Sequence, residues 1–368
     1  MVGGRYISLF YLFCAIASCA PAGDKGTEYF VEPSPTPLGD FRGEGLVYES
    51  NGDIFYYEVG KSSPISQLTQ TPEAEHDPVW ASDGKSLYFV RDDPAEKGNI
   101  YRLRGDSPDL STWVVERITG DNSGYEGYLW LSTDNRKLFY VASGSLVSFD
   151  LDPPQGTSTI SDSGYPAFQT SNSDYLFFQR AVSDSTYIVD SAAQALPSIY
   201  GKFRSNSATP IVAENDRHGD LLLSAYRDAS ANDRLLTLKI KPDSPIDSEL
   251  LVRDINGNVI KSITLEASDG TALQGNGKLA FIRRGHLHVA EADGSNIQEM
   301  SSDIRRFEMR PSFSVDGGRI AFFILVSDGS AELWSVKSNR LGAEKWAEGI
   351  ASTQQRIQWR PPLDNPGN

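Results

Sequence analysis

His286-Leu287-His288 is the stretch whose residue types and spacing most directly suggest chemistry. On a strand, alternate side chains leave the same face, so both imidazoles could reach one ion. The next residue on that face is Ala290, which offers no third ligand. The plainer expectation is two histidines on a strand face, one of them hydrogen-bonded, with no metal and no other cofactor. Close by, Arg283, Arg284, Arg305, Arg306 and Arg310 gather in a chain whose formal net charge is −15. Brought together by neighbouring elements they would recognise carboxylate or phosphate groups. The simpler expectation is scattered, solvated arginines. Asp254-Ile255-Asn256-Gly257-Asn258 has calcium-ligand residue types but lacks the twelve-residue series ending in Glu, and an Asn-Gly hairpin turn accounts for it. Tyr125 and Tyr128 could stack on a sugar or a peptide, or pack between elements.

Catalytic signatures are missing. The sequence contains no G-x-S-x-G elbow and no G-x-x-x-x-G-K-[ST] or G-x-G-x-x-G loop. With only 4 His, Ser-His-Asp and Cys-His arrangements have few candidates. A non-enzymatic role is expected. The acidic balance argues against nucleic acid as a partner, because phosphate recognition needs clustered Lys and Arg.

The N-terminus places the chain in a compartment. Arg5 precedes the apolar run "ISLFYLFCAIA" at 7–17, too short for a membrane-spanning helix of about 20 residues and suited to a signal-peptide core. Ile16-Ala17-Ser18-Cys19 resembles the lipobox of bacterial lipoproteins, although Arg5 is the sole basic side chain ahead of it. The resemblance implies cleavage before Cys19 and lipid attached to it. Cys14 would be removed, leaving neither a free thiol nor a disulfide. In a cell with two membranes, Ala20 after the lipid-bearing residue implies the outer one. The expected organisation is a signal peptide at 1–18, a Pro- and Gly-rich tether at 19–42, one domain at 43–363 and a tail at 364–368.

What positions the candidate residues is a repeated hairpin. In "DPVWASDGKSLYFV" a Pro opens one strand, Asp83-Gly84 makes a tight turn and an apolar run leads away. Pro suits a strand start where no ladder N–H is required, and Asp-Gly suits the turn that matches strand twist. The spacing returns closely at Pro311-x-Phe313-x-x-Asp316-Gly317. Looser copies begin at Tyr128, Pro166, Pro210 and Thr271. Third strand-like segments follow most copies, among them "STYIVD" and "RLLTLKI". "GLVYES" near the N-terminus lacks a first strand, and Ile357-x-Trp359 near the C-terminus has nothing after it. Second strands starting near residues 46, 86, 137, 175, 220, 278 and 319 are spaced as propeller blades are. The expected fold is all-β, a seven-bladed β-propeller whose C-terminal strand completes the first blade. Six blades result if 205–265 holds one irregular unit.

Those two strong copies, with "NIYRLR" and "AELWSV" after them, resemble the TolB-type, WD-like repeat of bacterial periplasmic proteins. The resemblance implies a protein partner at the cell envelope. Related propellers in peptidases carry an added catalytic domain that this chain lacks. The expected function is therefore a lipid-anchored, non-catalytic platform for an envelope protein. A glycan-binding propeller or metal-assisted polysaccharide lyase is the alternative, motivated by His286, His288 and the surface aromatics.

Overall fold

A computed structural model describes residues 44–362 apart from short internal stretches that include 93–97, 120–125, 241–247, 302–306 and 352–356, with side chains outside 161–220. Cys19, the signal peptide, the tether, Tyr125, Arg305 and Arg306 lie outside the described residues.

Every sheet is antiparallel and four-stranded, and seven such sheets are formed by the described residues. The fold is all-β, and the sheets follow one another along the chain at 75–117, 126–161, 165–212, 219–265, 267–299 and 307–350. The remaining one joins Gln358–Trp359 to strands at 45–67. Their innermost strands contact one another in chain order, and the C-terminal strand touches those of both the last sheet and the sheet at 75–117. This is a β-propeller. The sheets are numbered one to seven here in chain order, starting from the composite one.

Outside 161–220, where side chains are described, the second strands are buried on both faces, which is why they read as unbroken apolar runs. Phe89, Phe281, Phe322 and Ile320 are fully buried. Each core cluster joins neighbouring sheets. Val47 and Tyr56 pack with Leu87 and Phe89, Tyr226 and Leu236 with Phe281, and Ile282 with Phe322. At about 1.5–3 kcal/mol per buried large apolar side chain, these layers supply the main stabilising term.

Three readings of the repeat need correction. "DLLLSAY" was expected as a second strand, but Gly219–Arg227 is the innermost strand of the fifth sheet and Asp233–Ile240 is the second. Leu221 and Leu223 are only partly buried, whereas Leu235, Leu236 and Leu238 are sealed. The apolar run at 221–223 imitates a doubly covered strand without being one. Pro210 accordingly sits on the outer strand of the fourth sheet, Thr209–Val212. "STYIVD" continues the long second strand Tyr175–Val189, and Ala192–Phe203 is the third. In the third sheet the template slides by one residue. The Asn135 amide donates to the Ser132 carbonyl as Gly84 does to Ala81, so Leu129 and Leu131 occupy the Pro and aromatic places.

The C-terminal strand does complete the first sheet. Leu46 pairs with Trp359 and Val47 with Gln358, and the Arg360 amide donates to the Gly45 carbonyl at 2.8 Å. Trp359 Nε1 donates across to the Ser312 carbonyl of the seventh sheet at 3.1 Å. On the other side, buried Arg360 reaches the second sheet. Its Nε donates to the Gly84 carbonyl at 3.2 Å, and its guanidinium lies 5.3 Å from the rings of both Trp80 and Trp113. A desolvated cation between two indoles and a carbonyl is strongly held. Arg360→Ala is expected to lower unfolding free energy by about 2–4 kcal/mol in urea titrations; Arg360→Lys restores less than half, because an ammonium cannot donate to the Gly84 carbonyl in the guanidinium's fixed geometry while lying beside both rings.

Candidate functional site

Antiparallel order gives the ring two distinct ends. One, the turn face, carries the turns after the innermost strands, including Asp83-Gly84 and Asp316-Gly317. The other, the crossover face, carries the links between sheets and most of the tight turns between second and third strands. Asn51-Gly52, Ser143-Gly144 and Arg284-Gly285 lie there with both φ angles positive. That is the two-residue turn that matches strand twist.

Three of the innermost strands, those of the second, third and seventh sheets, share a kink at the crossover face. Asp77, Tyr128 and Arg310 have φ of 53°, 56° and 54°, each at a break in pairing register. A bulge leaves its N–H unpaired by the ladder. Here each finds a carboxylate on the preceding sheet. Asp77 donates to Glu49 Oε1 at 2.7 Å, Tyr128 to Asp77 Oδ2 at 2.8 Å, and Arg310 to Asp269 Oδ2 at 3.0 Å. Backbone held in the left-handed region at a non-glycine residue costs of order 1 kcal/mol and persists only when its surroundings over-determine it. The carboxylates do so, and they tie sheet to sheet beside the axis.

His76 completes the cluster on the second sheet. Its Nδ1 and Nε2 lie 3.3 Å from Asp77 and Asp92 oxygens. Burial opposes the charged ring, but hydrogen bonds to Asp77 and Asp92 and their charges outweigh it and push the pKa up to about 10. Beside it, buried Glu75 accepts from Arg91 Nε at 2.9 Å and from Thr71 Oγ1. The matching Glu308 of the seventh sheet accepts from the Leu287 amide and from Ser301 Oγ, and burial raises its pKa.

Of the residues expected to do chemistry, Arg283, Arg284, His286 and Arg310 meet at this face on the sixth and seventh sheets. Arg284 forms an ion pair with Glu266, and Arg310 Nη1 lies 4.0 Å from Asp269. Two of the candidate anion-binding arginines are thus held by carboxylates of their own neighbours. His288 bonds the His286 carbonyl through Nδ1 at 2.9 Å and stacks on Phe281. Burial lowers its pKa. Among the described residues no three His, Cys, Asp or Glu side chains come together as a metal site. Asp254 accepts from the Asn256 and Asn258 amides and from Asn258 Nδ2, which is the self-contained turn expected there. Sequence reasoning passed over Glu49, His76, Asp77, Asp92 and Asp269. The Asp before Pro78 was the available signal.

No family model matches the sequence, and no curated protein sequence matches it. Solved structures do match in fold. A TolB from Acinetobacter baumannii aligns with a TM-score of 0.53 at 16% identity, covering 88% of this chain and 67% of that one. The fold is a TolB-like β-propeller. An oligogalacturonate lyase in complex with manganese aligns at 0.59 and 15% identity, covering 83% and 85%. A prolyl endopeptidase aligns at 0.58 and 13%, and this propeller spans 51% of its length.

The His76 cluster has a pH signature. A ring whose pKa is raised on folding contributes stability fully below about pH 6.5, and the contribution is lost as pH rises through about 10. Between pH 7 and 10.5 the protein is expected to lose about 1–3 kcal/mol more than a His76→Gln variant in urea unfolding. Parallel curves would contradict the charge assignment.

Proposed function

We propose that this chain is a lipid-anchored, non-catalytic, seven-bladed docking platform at the bacterial cell envelope, engaging a protein partner through its crossover face. The observation that carries the reading is the set of bulges held by carboxylates around the axis at that face. A surface whose backbone is fixed before binding loses little entropy when a partner docks. Propellers also present loops on a rigid ring, an arrangement suited to recognition.

The path of the chain supports the same orientation. Glu44 leads into the first sheet at the turn face, where Ser314, Asp316 and Arg319 surround its carboxylate. A tether running from there to Cys19 would join the ring at the end opposite the crossover face. In a cell with two membranes, the Cys19-Ala20 pattern supports anchoring in the outer one.

In-cell crosslinking of tagged protein followed by mass spectrometry is the test. One envelope protein is expected from the wild type, with recovery falling at least about tenfold for Cys19→Ala as the local concentration supplied by anchoring disappears. Equal recovery from both forms would remove the anchor from the account. No reproducible partner from either would remove docking.

A further inference from the structure

Among the described residues, Arg102 and Arg360 each leave one sealed nitrogen unpaired but bond through the others, whereas Arg283 does not. Arg91 pairs with Glu75, Arg227 with Asp233 and Arg319 with Glu344, while buried Arg253 and Arg360 donate to Thr237 and to the Gly84 carbonyl. Arg283 is half-buried, its Nε is sealed from solvent, and that atom has no hydrogen-bond partner. His286, directly opposite it across the turn, repeats the pattern, with Nδ1 sealed and unpaired. Paired residues of antiparallel strands project on the same side of the sheet. Two unmet polar groups therefore stand side by side. A buried polar atom without a partner costs about 1–3 kcal/mol, more when charged, and such atoms mark places where an ion, water or ligand belongs.

The surroundings narrow the choice. Phe281, two residues before Arg283 on the same side, packs on Tyr226 and Leu236 of the fifth sheet, so the pair opens toward the gap between these sheets. His288, the last polar member of the row, is already committed to the His286 carbonyl and the Phe281 ring. On the opposite flank of the turn, Phe307 lies over Gly285. A Cβ there would come within 3.1 Å of the ring, yet Phe307 remains 52% exposed. Between the two flanks, Arg284 holds φ at 52° with its side chain in solvent.

We infer that Arg283 and His286 receive a carboxylate from an acidic protein segment whose neighbouring apolar side chain rests on Phe307. The outer edge of a guanidinium also presents two parallel donors that match a carboxylate, so the partner's charge can meet half-buried Arg283 without reaching its sealed Nε, and the negative charge answers a cation that a water molecule would leave unmatched. An exposed aromatic beside a sheltered Arg is the composition of a protein-binding hot spot and favours a peptide over a free sugar acid. This assignment rests on the docking reading above and names the chemistry of the partner.

The test follows the imidazole nitrogen signals of the protein with isotope-labelled histidine, at constant ionic strength. The probes are sodium acetate, N-acetyl-aspartyl-leucine amide and sodium galacturonate. Acetate and the dipeptide are expected to shift the His286 signals, the dipeptide binding more tightly. Arg283→Gln should weaken both by at least about tenfold, and Phe307→Ala the dipeptide alone. Arg283→Gln should also melt no lower than the wild type, since it removes an unmatched charge. Overturning results are silence toward every carboxylate, an unchanged response in Arg283→Gln, or a response to galacturonate with the dipeptide silent. A partner crosslinked elsewhere on the ring would leave docking standing while this assignment fell.

Discussion

Ring closure rests on two residues. Gln358 and Trp359 supply the innermost strand of the first sheet, and without them a sheet edge would lie open beside the axis. So short a strand contributes few ladder bonds. Its hold comes from the side chains around it: Trp359 against Trp346 and the Ser312 carbonyl on one flank, Arg360 between Trp80 and Trp113 on the other. Sequence neighbours at the far C-terminus thereby join the second sheet to the seventh. The crossover face keeps its arrangement only while this join holds, because a ring cut at one place would let its sheets splay.

Within the closed ring, the same geometric device recurs at the crossover face. At Asp77, Tyr128 and Arg310 the bulge turns an N–H out of its own ladder, and a carboxylate one sheet back accepts it. The device also sets where charge lies. Asp77 and Asp269 continue the pattern by offering carboxylates, whereas Tyr128 and Arg310, at the equivalent places, do not. An acidic, histidine-braced sector on the second sheet and an arginine-bearing sector on the sixth and seventh result from those single choices. A partner meeting this face would encounter fixed charges of both signs, which favours orientation and specificity more than raw affinity.

The repeat was legible because turn chemistry and doubly buried strands leave local marks. Asp83-Gly84 and Asp316-Gly317 each announce a hairpin, and the runs after them announce covered strands. The fifth sheet was misread for the same reason, since Leu221-Leu222-Leu223 carries the mark of a second strand while lying on the first. The bulge ties were not legible. They join residues 28, 51 and 41 positions apart and depend on a backbone N–H, which no side-chain pattern records. Arg283 was named among candidate anion-binding residues, but what distinguishes it from Arg284 and Arg310 is the partner it lacks. That property belongs to packing.

On the proposed docking reading, the partner meets the crossover face and not the turn face. A photo-crosslinking amino acid can be placed in cells at Phe307 on the crossover face, and separately at Val315 in the turn after an innermost strand, since both side chains are exposed. The account predicts a discrete protein adduct from position 307 and none from position 315. An adduct from 315 alone would contradict it and assign partner binding to the opposite end.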